Sequence, residues 1–161
     1  MSRYRRIWRD EAGAVLVEAT LSLPILVMLI FGALEFGNVF FAHQRLTQSV
    51  RDAARYLART DDPFNATTAR NMVIRGGPDS SGALIMPWLG SAVQVNAVES
   101  TVANPVDPQT GKSPYRGGPN VQLVTVNADV TYTDIFGFLP AIGLGSTITF
   151  RISHAERVIG D

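Results

Sequence analysis

Gly13-Ala14-Val15-Leu16-Val17-Glu18-Ala19-Thr20-Leu21-Ser22-Leu23-Pro24 runs without a break into Ile25-Leu26-Val27-Met28-Leu29-Ile30-Phe31-Gly32-Ala33-Leu34. A helix rises about 1.5 Å per residue, so Val15 to Leu34 matches the roughly 30 Å hydrocarbon core of a bilayer. Within this apolar run stands one acid, Glu18, five residues past Gly13. A carboxylate near the centre of a bilayer costs about 2.5–3.5 kcal/mol on insertion scales, and less towards an end. An anchor that only has to hold on gains nothing from that cost, so Glu18 is read as functional.

On the N-terminal side, residues 1–13 form a short basic leader carrying Arg3, Arg5, Arg6 and Arg9 against Asp10 and Glu11. Arginines crowded before a span place the N-terminus in the cytoplasm by the positive-inside rule, although Arg45, Arg51 and Arg55 on the far side reduce the asymmetry. The apolar region exceeds a secretory h-region and has no small-x-small site near its end, so an ordinary signal peptide fits less well. Residues 14–35 are therefore expected to form a transmembrane helix. Within it, Pro24 removes the bond to the Thr20 carbonyl and predicts a kink. Gly32, Ala33 and Gly37 offer small surfaces on which another helix can pack. Glu35 falls near the outer boundary and reads as a solvated end-marker.

The helical pattern continues past the span. Val39, His43, Leu46, Val50, Ala53 and Leu57 recur at steps of four and three, so 36–60 is expected to be an amphipathic continuation, stopped at Asp61-Asp62-Pro63. Residues 61–161 are the head. Asn65 or Thr67 caps a short helix through Ala69, Met72 and Val73, ended by Gly76-Gly77-Pro78. Residues 104–114 read as turns or a flexible segment. Strands are signalled by alternation: Val93, Val95 and Ala97; then Val124, Val126, Ala128, Val130 and Tyr132; then Ile148, Phe150 and Ile152. Phe136-Gly137-Phe138-Leu139-Pro140 joins the last two as an apolar, packed connection. Three strands with one solvated face are naturally antiparallel. The expected fold is α+β: a long N-terminal helix, transmembrane and then amphipathic, packed on a small antiparallel sheet.

Composition narrows the function. The 161 residues carry a formal net charge of zero with Lys112 as the sole lysine, which argues against a nucleic-acid partner. Without cysteine, the chain has no disulfide, thiolate metal site or cysteine nucleophile. The two histidines, His43 and His154, lie in no nucleophile motif. Gly111-Lys112-Ser113 echoes the end of a phosphate loop, but Val106 stands where that motif needs its first glycine. Asp61-Asp62 reads as a solvated helix-ending pair, and Asn65-Ala66-Thr67 matches the glycosylation pattern that short chains meet by chance. No catalytic residue, cofactor site or metal site is expected.

The order of basic leader, glycine, apolar helix with Glu18, amphipathic helix and small sheet resembles the type IV pilin-like proteins. More narrowly, residues 13–24, with Gly32-Ala33-Leu34-Glu35-Phe36-Gly37 and Ala53-Ala54-Arg55, resemble the TadE/TadG-like minor pilins, or pseudopilins, of tight-adherence (Tad/Flp) pilus systems. The resemblance implies that a prepilin peptidase cuts between Gly13 and Ala14, leaving Glu18 at the fifth position of the mature chain. It also implies major and minor pilins, the inner-membrane assembly platform and the lipid bilayer as partners, with the head extracytoplasmic. The sequence departs from the pattern at Ala19-Thr20, where related chains often carry an aromatic directly after the glutamate. Cleavage would create an ammonium on Ala14, which a neighbouring subunit's Glu18 carboxylate would attract strongly at low dielectric. The alternative is a permanently anchored extracytoplasmic binding protein, unprocessed, whose helix merely tethers the head.

Overall fold

A computed structural model describes residues 11–89, 93–115 and 118–159, so the leader arginines and Asp10 lie outside the described residues. The first element, α1, is a helix over Glu11–Leu57. Short 3₁₀-type bonds close it, with the N–H of Arg59 reaching Tyr56 O and that of Thr60 reaching Leu57 O, both at 3.1 Å. The Thr60 hydroxyl also donates to Leu57 O at 2.9 Å, and Asp61-Asp62-Pro63 follow. Helix α2 spans Ala66–Arg75. Of the two expected caps, Asn65 serves: its side-chain oxygen accepts from the Thr68 N–H at 3.0 Å. Gly76, left-handed at φ 74°, closes the helix by donating its N–H to Met72 O.

Strands β1 (Val93–Ala103), β2 (Asn120–Thr133) and β3 (Thr147–Arg157) form an antiparallel meander in the order β1-β2-β3. Val93 pairs with Val130, and Val130 with Phe150, which fixes the register across the sheet. The side-chain alternation read from the sequence holds: Val124, Val126, Ala128, Val130 and Tyr132 are all buried. Thr125, Asn127, Asp129, Thr131 and Thr133, on the opposite face, are not.

The chain divides into two compact units, one of residues up to 40 with 134–146, the other of 41–133 with 147–161. The second unit holds the α+β core. Its part of α1 buries Ala42, Leu46, Val50, Ala53 and Leu57 towards the sheet, with Ala54 and Ala58 beside them, and α2 adds Ala69, Met72, Val73 and Ile74. Each fully buried Leu or Val contributes about 1.5–3 kcal/mol relative to exposure. His43, expected on the buried stripe, is instead exposed. It lies at the N-terminal end of the covered stretch, where the Phe150 ring meets it edge-on at 5.6 Å and its nitrogens keep access to water.

The turn-rich segment 104–114 is ordered by two side chains. Buried Asn104 donates its amide to Tyr115 O and Gly118 O and accepts the Tyr115 N–H. Asp107 accepts from the Thr110 hydroxyl and the Gln109 N–H, and these bonds hold its carboxyl below the ordinary carboxylate range.

Candidate functional site

The residues singled out in the sequence as sites lie in the first unit. Gly13 and Ala14 fall in the first turns of α1 and are exposed. Glu18 is exposed too, and among the described residues it has no hydrogen-bond or ion-pair partner. Around it the helix turns no apolar side chain inward: residues 13–31 are exposed throughout. Thr20 conceals its hydroxyl by donating to Leu16 O at 2.6 Å, the local device by which a polar residue enters an apolar helix. Pro24 lies inside α1 and is exposed. A helix so long and apolar can cross a membrane.

At the other end of the apolar run the arrangement changes. Glu35 is fully buried, which corrects its reading as a solvated marker. Its two carboxylate oxygens accept the Ile135 N–H at 3.3 Å, and one of them accepts the Phe136 N–H at 3.2 Å. Asp134 completes the pattern: Oδ1 accepts from the N–H groups of Phe136 and Gly137 at 3.1 Å, and Oδ2 from Leu139 at 3.0 Å. Gly137, at φ 69°, takes the left-handed turn that side chains resist, and the short helix α3, Phe138–Ala141, follows. The physical reason for the burial is thus a connection that returns to the helix and offers peptide N–H groups where water would have been.

Gly32 is where this connection meets the helix. A Cβ at that position would stand 2.7 Å from Phe138 Cζ, so the absent side chain makes room for the ring. Phe138 in turn packs edge-on against Phe36 at 5.8 Å, and Phe136 lies 5.7 Å from Phe31. Ala33 is exposed, and nothing stands within 4 Å of a Cβ built on Gly37. Sequence reasoning missed the pairing of Glu35 with 134–139. The available signal was a chargeless apolar connection together with an acid at the end of a span, but no periodicity links positions 100 residues apart.

The second unit holds the remaining polar candidates. His154 Nε2 lies 3.1 Å from Glu156 Oε1, which also receives Arg55 Nε at 3.4 Å. The hydrogen bond with His154, and then that from Arg55, holds the Glu156 carboxyl below its usual range against an opposing push from burial. Asn65 spends both ends of its amide, accepting from Thr68 and donating to Asp62 Oδ2 at 3.0 Å. Gly111-Lys112-Ser113 belongs to the Asp107 turn, closed by the Asp107 N–H on Lys112 O. Among the described residues no group of three His, Asp or Glu side chains is placed to hold a metal ion.

The family model described as TadE-like protein matches residues 13–55. No curated protein matches the chain, and no solved structure does. With an apolar helix able to cross a membrane near the N-terminus, the match fits a single-pass membrane protein associated with a Tad pilus. The similarity to TadE-like proteins is carried by residues 13–55, the segment that holds Gly13, Glu18 and the helix beyond them.

Proposed function

We propose that this chain is a minor pilin, or pseudopilin, inserted in the bacterial inner membrane with its N-terminus cytoplasmic and its head extracytoplasmic, and that it takes part in Tad-type pilus assembly. The observation that carries the reading is the position of Glu18: an exposed acid, without a partner among the described residues, in the apolar stretch 13–31 of α1 that is exposed throughout, inside the TadE-like match. An isolated chain leaves that carboxylate without compensation in lipid, and a neighbouring subunit supplies it. Cleavage after Gly13 by a membrane prepilin peptidase frees the Ala14 ammonium, which pairs with the Glu18 of the next subunit and sets axial register between packed helices. Desolvation offsets much of the attraction, so the pair specifies register more than it stabilises. Major and minor pilins and the assembly platform are the partners, and no cofactor is required.

Intact-mass measurement of the chain from native membranes tests the processing step. Loss of Met1 to Gly13, prevented in Gly13→Trp, is the expected result. A full-length chain in membranes of piliated cells would contradict cleavage, and pili that still assemble in cells lacking the chain would favour the permanently anchored alternative.

A further inference from the structure

The β2–β3 connection has a surface that its backbone bonding explains only in part. From Ile135 to Phe150 the sequence holds no charged residue. Ile135, Phe136, Ile142 and Leu144 are 59, 41, 42 and 55% exposed, and Phe136 meets the likewise exposed Phe31 of α1 in the same unit, ring centroids 5.7 Å apart. The connection's peptide N–H groups are largely spoken for. The N–H groups of 135, 136, 137 and 139 end on the Glu35 and Asp134 carboxylates. Those of 134, 141, 142, 143 and 144 end on carbonyls within the connection. Pro140 has no N–H, so from 134 to 144 only that of Phe138 lacks a partner among the described residues.

We propose that residues 135–144 form a second membrane contact, seated in the lipid interface of the leaflet that receives the C-terminal end of the α1 span. Non-helical backbone comes close to hydrocarbon only when its polar groups are met internally or by interfacial water, and here the N–H groups of 134–144, that of Phe138 apart, are met internally. A protein partner makes no such demand, because it can supply the missing bonds. Nor does the connection offer a charge by which a protein partner would be recognised, and its apolar side chains continue the exposed surface of the helix itself. Interfacial binding of this kind grows with the apolar area buried. The contact gives the head a second attachment and fixes the rotation of α1 about its axis, so that Glu18 points in a defined direction. The proposal rests on α1 crossing the bilayer, which is tested separately.

The chain has no cysteine, so single-cysteine variants of the full chain can carry an environment-sensitive nitrobenzoxadiazole probe. Ile142→Cys, Leu144→Cys, Leu26→Cys and Thr101→Cys are reconstituted in liposomes of phosphatidylethanolamine and phosphatidylglycerol, and quenching by spin-labelled lipid is compared with quenching by aqueous iodide. Lipid quenching at 142 and 144 is expected to exceed that at Thr101 about threefold, with shielding from iodide. Iodide quenching at 142 and 144 equal to that at Thr101, with Leu26 still in lipid, would overturn the contact and leave the span intact. Shielding of 142 and 144 from both quenchers would also overturn it, pointing to a second copy as the occupant. A water-exposed Leu26 would remove the span and this proposal together.

Discussion

Glu35 shows how a residue's surroundings decide its role. By position it closes an apolar helix, where an acid ordinarily meets water; by fold it is fully buried against the peptide N–H groups of Ile135 and Phe136. Removing an acceptor from buried donors costs about 1–3 kcal/mol. Glu35→Ala should therefore lower unfolding stability in detergent by about that amount, and Glu35→Gln by less, since its amide oxygen still accepts; urea titration measures both. Glu156 gives a pH dependence of definite sign. Its folded pKa is depressed through His154 and Arg55, so its contribution is present above the ordinary value of 4.5 and is lost as pH falls through the folded value. Glu156→Gln should flatten that acid limb when melting is followed from neutral pH downward. The sequence held both acids in plain view, but neither full partner set, because the donors to Glu35 and the Arg55 partner of Glu156 lie 100 or so residues away.

At the scale of elements, local chemistry was enough wherever a period repeats. Alternation placed the buried face of β2 and, in β3, buried Ile152 beside half-buried Ile148 and Phe150, and steps of four and three placed Leu46, Val50, Ala53 and Leu57 inside. The end of the stripe was not legible, because burial of His43 depends on how far the sheet extends, and cover stops at the edge of Phe150. Nor was the order in 104–114, where composition predicts turns but only the fold shows Asn104 binding both arms of the loop. Leu46→Ala, at a fully buried position, should cost about 2–5 kcal/mol, whereas Gln48→Ala on the exposed face should stay within about 0.5 kcal/mol. Chemical denaturation in detergent distinguishes them. Gly13 and Ala14 sit within α1, and glycine disfavours a helix by about 1 kcal/mol relative to alanine, so Gly13 lowers the cost of opening α1 at the bond where cleavage is proposed.

Across the whole molecule, the polar chemistry is divided between two tasks. In the second unit, caps, turns and the His154–Glu156–Arg55 cluster pair polar groups with one another. In the first unit, the acids at Glu35 and Asp134 are absorbed by the backbone of the connection, while Glu18 remains exposed, without a partner among the described residues, in an apolar surface. Fold class was legible because it is written in composition and short spacing; the bonding of Glu35 to the connection was not, because it is built by a return of the chain. The account stands on Glu18 as an assembly contact. The most direct measurement is to replace the chromosomal copy with Glu18→Ala and to count pili by electron microscopy, with the membrane level of the variant checked by immunoblot. Pili should be lost or greatly reduced while the chain remains in the membrane at wild-type level. Normal piliation by Glu18→Ala would contradict the account.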